Sequence, residues 1–299
     1  MRIFLTGATG FIGSALVPEL LQAGHEVIGM TRSDDGANAL AAAGAEVHRG
    51  TLEDTESLRR GAANADAVIH VAFDHDFSRF AENCEKDKRA IAALGSVLKG
   101  SGRPLLITSG TGMGSRDDGK PASEDVFNLK HPNPRIASEL AGNTLLDEGV
   151  NVSVVRLPQV HNPYRQGLIT PLIQVSREKG VCAYVGDGKN RWAAGHLSDV
   201  VRLYRLAIEK AEAGARYHAV GEEGVSARDI VTSVARGLNL PVVSIPREEA
   251  QAHFGWMAMF VTIDMPASSA LTQARLGWRP EGPTLISDLD QARYLEVPA

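Results

Sequence analysis

The first half of the chain alternates short apolar runs with longer stretches of helical periodicity. Because the apolar runs lack polar alternation, they predict strands that are buried on both faces, as in a parallel sheet covered by helices. The predicted strands are RIFLTG (2–7), EVIGMTR (26–32), AEVHRG (45–50), ADAVIHVAF (65–73), RPLLITSG (103–110) and NVSVVRLP (151–158). Helices are predicted between them, among them SALVPELLQAG (14–24) and a long one at 78–100. This order predicts an α/β fold with a Rossmann-type doubly wound sheet.

After Pro158 the alternation ends, because prolines and the glycine-rich VGDGKN (185–190) interrupt it. A further helix, SDVVRLYRLAIEKA, and a further strand, ARYHAVG, precede a tail with scattered prolines. We therefore predict a Rossmann domain at residues 1–160 with a return segment near 196–221. Residues 161–299 are expected to form mainly a smaller α/β substrate lobe.

Composition and charge narrow the class of partner. The 36 acidic and 31 basic residues give a net charge of -5 and form no run of like charge, which argues against nucleic-acid and membrane surfaces and favours small molecules. Cys84 and Cys182 lie far apart without metal-ligand spacing, so we expect ordinary thiols in a reducing compartment and no metal site. No apolar run reaches transmembrane length, so a cytoplasmic location is expected.

The most informative motif is TGATGFIG, which follows the first predicted strand and opens the first helix. Gly7 permits a tight turn, Gly10 lets backbone approach a pyrophosphate, and Gly13 allows close helix packing. The phosphates would lie at the helix N-terminus, where backbone N–H groups point outward. The motif therefore predicts a dinucleotide site rather than a merely structural turn.

The end of the second strand indicates which dinucleotide is bound. An acidic residue there would bind the adenosine ribose 2′-hydroxyl, whereas this chain has Thr31, Arg32 and Ser33. A cation flanked by two hydroxyls favours the 2′-phosphate of NADP. The alternative is that Arg32 is a solvated surface charge and that Asp34 or Asp35 binds the ribose of NAD.

Six segments carry a family resemblance over nearly the whole chain: TGATGFIG, VIHVAF, ITSGTGMG, RLPQVHNP, GDGKNRWAAGHLSDVV and LGWRP. Together they resemble the extended short-chain dehydrogenase/reductases, which include NAD(P)-dependent epimerases and dehydratases. The resemblance implies an NAD(P)-dependent enzyme with a Rossmann domain and a small C-terminal substrate lobe. Together with the glycine motif and the end of the second strand, it predicts cofactor contacts at Gly7, Thr9, Gly10, Phe11, Ile12, Gly13, Thr31, Arg32, Ser33, Leu52, Val71, Ala72, Phe73, Thr108, Arg135, Pro158 and Val160.

The catalytic residues depart from the pattern of the family. Its chemistry depends on a serine or threonine, a tyrosine and a lysine four residues after the tyrosine. Ser109 matches the serine, with Thr111 as a stand-in, but His131 and Arg135 occupy the other two positions when the helix is aligned on Glu139. This HxxxR replacement resembles an atypical subgroup of the family.

His131 and Arg135 could share the missing roles. Arginine can donate to ribose hydroxyls but cannot act as an acid or base. An imidazolium could protonate the oxygen after hydride transfer to a carbonyl, although a nearby guanidinium would lower its pKa. The flanking prolines predict that the helix begins at Pro134 with Asn133 as its cap, so that Arg135 faces the positive end of the helix dipole and needs a compensating anion or polar ligand. The alternative is a capped helix start with two solvated side chains.

Other residues have less definite roles. His70 is expected to be buried and satisfied, whereas His75 could face the substrate or lie in a surface loop. Tyr164 is an alternative proton donor. The aromatic segment HFGWMAMF (253–260) fits a lid, a substrate wall, ordinary lobe core or the contact of a homodimer.

The resulting hypothesis is an NADP-dependent oxidoreductase that reduces the carbonyl of a small, fairly apolar ketone or aldehyde. Ser109 would steady the carbonyl oxygen, His131 would supply or relay the proton, and Arg135 would hold the ribose. Two alternatives stay open: an NAD-dependent nucleotide-sugar epimerase or dehydratase, and a non-catalytic redox sensor that binds NADP.

Overall fold

The computed structural model describes residues 1–116 and 118–296. Its central sheet is built from seven parallel strands: β1 (Arg2–Thr6), β2 (Glu26–Thr31), β3 (Glu46–Arg49), β4 (Ala67–His70), β5 (Pro104–Gly110), β6 (Asn151–Leu157) and β10 (Arg216–His218). The strand order is β10-β6-β5-β4-β1-β2-β3, so the direction of winding reverses between β1 and β4. Ligands of such sheets bind outside the carboxyl ends of the strands at this point.

Helices cover both faces of this sheet: α1 (Phe11–Gln22), α2 (Asp34–Ala42) and α7 (Leu197–Lys210) on one, and α3 (Thr55–Ala63), α4 (Phe80–Ser96) and α5 (Ile136–Asp147) on the other. Successive residues of a strand face opposite cores, so Ile3 and Leu5 pack beneath α1 while Phe4 packs beneath α3. Because both faces are buried, the strands need no polar alternation. The predicted fold class is confirmed.

The rest of the chain forms a second lobe. Its strands are β7 (Gln159–His161), β8 (Cys182–Val185), β9 (Arg191–His196), β11 (Glu222–Ser226) and β12 (Val242–Ile245). Its helices are α6 (Ile169–Lys179), α8 (Ala227–Leu238), α9 (Ala250–Phe254), α10 (Ala258–Val261) and α12 (Leu285–Asp290), whereas α11 (Ala270–Leu276) packs against β10 and α7 of the Rossmann domain. Strands β11, β9 and β7 form one small sheet, and β12 and β8 form another. Much of the lobe shares an apolar core of its own.

The helices predicted at 14–24 and 78–100 span Phe11–Gln22 and Phe80–Ser96, and two further boundaries, both near the candidate site, were also wrong. The fourth strand ends at His70 instead of residue 73, because the chain turns there and the Ala72 N–H donates to Thr6 Oγ1 at 3.4 Å. Helix α5 begins at Ile136 instead of Pro134, because a tighter turn precedes it, in which the Ile136 N–H donates to the Asn133 carbonyl. Within the described part of the chain, no helix combines the length and the apolar character that crossing a membrane requires.

Candidate active site

The turn between β1 and α1 depends on glycine at two positions. Gly7 has a φ of +70°, and a Cβ there would lie 2.7 Å from the backbone nitrogen of Ala72. A Cβ on Gly13 would collide with the carbonyl oxygen of Gly7. The turn is therefore packed between the loop after β4 and helix α1, at the point where the winding of the sheet reverses. Gly10 caps α1 without a side chain, so no side-chain cap covers the first N–H groups of the helix.

A cavity of about 300 Å³ lies in front of this helix N-terminus. It is lined by Thr9, Gly10, Phe11 and Ser14 from the Rossmann domain and by Asn162, Tyr164 and Arg165 from the loop after β7. Outward-pointing N–H groups and the positive end of the helix dipole favour a phosphate group at such a place. The cavity and the glycine turn together fit the pyrophosphate of a dinucleotide.

At the end of β2, Arg32 differs from its neighbours because its side chain has no partner in the described residues. Thr31 is buried, and the Ser33 side chain caps α2. Asp34 forms an ion pair with Arg49 at the end of β3. Arg32 is exposed, and within residues 1–116 and 118–296 its side chain has neither an ion pair nor a hydrogen bond. Asp34 is therefore paired at the surface with a protein cation, Asp35 is exposed without an ion pair in the described residues, and Arg32 is available to a ligand.

The other predicted cofactor residues lie around the same edge of the sheet. Half-buried positions are held by Ile12, Leu52, Val71, Ala72, Phe73 and Pro158, and Val160 is buried. Thr108 is buried too, and its hydroxyl donates to the His70 carbonyl at 2.8 Å and lies 2.7 Å from the Tyr204 hydroxyl. Its side chain is therefore engaged inside the protein. The structure contains no ligand that tests these contacts, so they stay predictions.

Arg135 lies in the turn before α5 and is held by three protein groups. One guanidinium nitrogen, Nη1, donates to Asp87 Oδ2 and to Ser138 Oγ, both at 2.6 Å. The other, Nη2, donates to the Thr108 carbonyl at 3.0 Å. The guanidinium carbon also lies 4.0 Å from the centre of the Phe73 ring, within cation–π distance.

These contacts leave part of the Arg135 fork available. A guanidinium has five N–H groups, and the contacts above occupy both on Nη1 and one on Nη2. The Nε–H and the second Nη2–H have no acceptor in the described part of the chain. Two N–H groups beside a buried anchor can therefore donate to a bound ligand.

Asp87 on α4 is the anchor of this network. It is fully buried and accepts from Arg135, from Ser138 and from His70 Nε2, the last at 3.0 Å. Burial opposes ionisation, but the Arg135 guanidinium and the hydrogen bond to His70 outweigh it and lower the Asp87 pKa below its ordinary value. His70 is also fully buried, and its other ring nitrogen lies 2.7 Å from the Thr6 hydroxyl, as expected for a satisfied core histidine.

Asp87 was missed in the sequence and changes one interpretation. The position of Arg135 at the positive end of a helix dipole suggested a ligand that compensates its charge, but Asp87 is the compensating anion. A signal was present, since Cys84, Asp87 and Ile91 follow one another at helical spacing and all three are buried. A carboxylate on the apolar stripe of a helix indicates a buried partner of opposite charge.

His131 lies in the loop before Arg135 and is half buried. Its Nδ1 accepts the Asn133 N–H at 3.2 Å, so the neutral ring carries its proton on Nε2. The Nε2 edge faces Gly112, and a Cβ added there would lie 3.4 Å from Nε2. Burial lowers the pKa of His131, so the neutral form with an Nε2–H donor prevails at neutral pH.

Ser109 lies near the end of β5 and has an unpaired hydroxyl. The residue is 3% exposed, and its Oγ has no hydrogen-bond partner among the described residues. A buried hydroxyl without a partner costs free energy unless a ligand or water supplies one. Arg135 binds the carbonyl of Thr108, and His131 packs against Gly112, so all three predicted catalytic residues adjoin the segment 108–112.

An aromatic cluster extends from Arg135 towards the second lobe. The Phe73 ring contacts Phe80 edge to face, and Phe80 contacts Phe77. Phe77 in turn stacks on Trp256 with ring centres 4.4 Å apart and planes 4° apart. Trp256 is 39% exposed, so the cluster presents an apolar surface close to the candidate site.

Two further candidates can be placed. His75 has exposed surface, yet the protein around its ring partly desolvates it. This desolvation, followed in size by the charge of the Arg135 guanidinium, lowers the His75 pKa. Tyr164 lies at the cavity before α1, with the Arg293 guanidinium carbon 4.4 Å from its ring centre. The described residues contain no cluster of His, Cys, Asp or Glu with the geometry of a metal site.

Comparison with known proteins decides the family. Residues 3–221 match the model of the NAD dependent epimerase/dehydratase family, which is well over half of the chain. The chain belongs to this family. Its members bind a nicotinamide dinucleotide, and the protein is accordingly an NAD(P)-dependent enzyme of the short-chain dehydrogenase/reductase type.

Relatives of this family member span almost its whole length. An uncharacterized protein of Schizosaccharomyces pombe is 46% identical over 295 residues, covering 98% of this chain and 100% of the relative. A 4-hydroxy-2-methyl-3-oxo-4-farnesyl-3,4-dihydroquinoline-1-oxide ketoreductase of Stigmatella aurantiaca is 26% identical, covering 89% of this chain and 84% of the relative. The solved dTDP-glucose 4,6-dehydratase of Streptomyces venezuelae, with NAD bound, superposes with a TM-score of 0.78 at 21% identity, covering 99% and 97% of the two chains. That structure shows the shared fold.

Proposed function

We propose that the protein reduces the carbonyl group of a small, fairly apolar ketone or aldehyde with NADPH. The observation that carries the proposal is the buried, unpaired Ser109 hydroxyl, which lies on the segment that Arg135 and His131 also contact. A carbonyl oxygen would satisfy this hydroxyl. The similarity to a ketoreductase supports the same class of reaction.

Each side chain has a defined task in this proposal. Ser109 donates a hydrogen bond to the carbonyl oxygen, and Arg135 donates its two remaining N–H groups to the ribose of the cofactor. The Asp87 anchor fixes the guanidinium before the cofactor arrives, which reduces the entropy lost on binding. When bound, the reduced nicotinamide supplies the hydride. The carbon gains this hydride and the oxygen gains a proton, so each turnover consumes one NADPH and one proton.

The proton is assigned to His131. Its neutral form donates an Nε2–H hydrogen bond that stabilises negative charge on the oxygen, and its imidazolium form transfers the proton. Because the pKa of His131 is lowered, the imidazolium is a minor species at pH 7. Proton delivery therefore improves as the pH falls, which suits reduction better than oxidation.

Preference for NADP is supported by the end of β2. Arg32 is exposed without a partner in the described structure, while Asp34 is paired with Arg49. The Arg32 guanidinium can therefore pair with a 2′-phosphate, while Arg49 engages the carboxylate of Asp34.

The experiment is to incubate purified protein with NADPH and a panel of ketones and aldehydes and to follow NADPH oxidation. We expect turnover with at least one compound, and His131→Ala should lower kcat much more than it weakens NADPH binding. Unchanged kcat in this variant would remove His131 from the mechanism. Tight NADPH binding without turnover across a broad panel would favour the redox sensor, and NAD released on denaturation would favour the epimerase or dehydratase alternative.

A further inference from the structure

The loop after β7 has a shape that its own hydrogen bonds fix. Asn162 Oδ1 accepts the N–H groups of Tyr164 and Arg165, each at 2.9 Å. Gln166, which is fully buried, donates to the carbonyls of Asn162 and Pro163 at 3.0 and 3.1 Å. The Arg165 side chain takes part in none of these bonds, so the loop keeps its shape when that side chain is changed.

This loop places a cation opposite the positive end of α1. Arg165 lines the 300 Å³ cavity together with Gly10, Phe11 and Ser14 at the helix N-terminus. Its guanidinium is exposed and, across residues 1–116 and 118–296, has neither a carboxylate within ion-pair distance nor a hydrogen-bond acceptor. The nearby Arg293, by contrast, is paired with Glu296. The helix N-terminus and an arginine without a protein partner thus line one space, and both favour an anion there.

We propose that Arg165 is a cofactor-binding residue that contacts the pyrophosphate of the dinucleotide from the side of the lobe. The glycine turn offers N–H groups on one side of the phosphates, and Arg165 offers a planar fork on the other. The inference rests on the binding of a nicotinamide dinucleotide, which belongs to the family, and does not depend on carbonyl reduction. The cofactor would then link the Rossmann domain to the lobe loop.

The two unpaired arginines therefore act on different parts of the cofactor. Arg32 would contact the 2′-phosphate, which only NADP carries, whereas Arg165 would contact phosphates that NAD and NADP share. Loss of Arg165 should raise the dissociation constants of NADH and NADPH by the same factor. This equality distinguishes a pyrophosphate contact from a contact with the 2′-phosphate or with a substrate.

The test is a binding titration of purified Arg165→Ala with NADPH and with NADH, followed by nicotinamide fluorescence. We expect both dissociation constants to rise about tenfold, equivalent to about 1.4 kcal/mol. Arg165→Lys should lose less, because it keeps the charge but not the fork. The matched control is Arg89→Ala, which removes an exposed arginine of α4 that has no ion pair in the described residues, and its two dissociation constants should stay unchanged.

Two further measurements complete the test. Raising the salt concentration should weaken NADPH binding less in Arg165→Ala than in the parent protein, since one screened contact is gone. The thermal midpoint without cofactor should be the same in both proteins, because the loop bonds are retained. The proposal would be overturned if the dissociation constants of Arg165→Ala were unchanged or if only that of NADPH rose. It would also be overturned if the variant without cofactor had a lower thermal midpoint than the parent protein, because weaker binding would then reflect a disturbed fold. Failure to turn over any carbonyl compound would leave it intact, because the measurement uses binding alone.

Discussion

Replacing Asp87 with alanine should destabilise the folded protein by about 3–5 kcal/mol, because it leaves a buried cation without its partner. Three donors converge on this carboxylate, from Arg135 and Ser138 at 2.6 Å and from His70 at 3.0 Å. The Arg135 side chain is only 13% exposed, so water does not replace the lost acceptor fully. The cost therefore exceeds that of a surface ion pair.

The expected loss can be expressed as a thermal midpoint. At about 2.1 cal/mol/K per residue, unfolding 299 residues changes the entropy by about 0.6 kcal/mol/K, so the loss corresponds to about 5–8 °C. Thermal unfolding followed by circular dichroism measures it. The matched control is Glu82→Ala on the same helix, which removes an exposed ion pair with Arg79 and should cost no more than about 0.5 kcal/mol. The reasoning is refuted if the Asp87 variant loses no more stability than the Glu82 variant.

The same pair predicts the pH dependence of that difference. The pKa of Asp87 is lowered in the folded state, so its contribution is fully present above the unfolded pKa of about 3.9 and is lost as the pH falls towards the folded value. The stability gap between the parent protein and Asp87→Ala should therefore be largest near neutral pH and shrink in acid. A gap that grows on acidification would mean that Asp87 is not ionised in the folded protein.

Three other predictions concern cofactor, proton and substrate. Arg32→Ala should raise the NADPH dissociation constant about tenfold and leave that of NADH unchanged, as fluorescence titration can measure; an equal effect on both would remove Arg32 from the 2′-phosphate. The kcat/KM for carbonyl reduction should rise as the pH falls and should level off only beneath the lowered pKa of His131, which lies below the ordinary value of about 6.5. His131→Gln should flatten this rise, and a rise that persists in the variant would assign the proton to another group. Trp256→Ala should lower kcat/KM for aromatic aldehydes about three- to tenfold and leave that for short aliphatic aldehydes unchanged, because Trp256 would contact the substrate. The control is Leu129→Ala, which changes another exposed apolar residue. Equal losses for both aldehyde classes would refute a substrate contact at Trp256.

Local patterns were sufficient for the fold because its rules act over short distances along the chain. Strands such as Arg2–Thr6 are apolar at nearly every position, and the glycine turn follows directly from the end of the first one. A buried parallel sheet requires such strands, and the positive φ of Gly7 favours glycine. The start of α5 was harder to predict. The two prolines show which residues cannot be helical, but they do not fix the residue at which the helix begins.

The site could be predicted only in part, because its contacts join residues that are distant in sequence. The candidate catalytic residues Ser109, His131 and Arg135 came from alignment with the family, and the structure gathers them around one segment without testing their roles. Asp87 lies 48 residues before Arg135, and no local pattern names its partner. Arg165 lines a cavity together with Gly10 at the start of α1, a juxtaposition that exists only after the lobe has packed on the sheet.

The network also explains why an arginine suits position 135. A lysine ammonium carries its three donors on a single nitrogen. At position 135 one side chain donates to Asp87, Ser138 and the Thr108 carbonyl, and in the proposed function it also donates to a ligand. The planar fork meets the first three demands and retains two N–H groups, and its face packs on Phe73. In the proposed function Arg135 combines anchoring with cofactor binding, and the proton chemistry is proposed for a residue outside this network. His131 meets that condition, because its Nδ1 is bound to the Asn133 N–H and its Nε2 is directed towards the segment after β5.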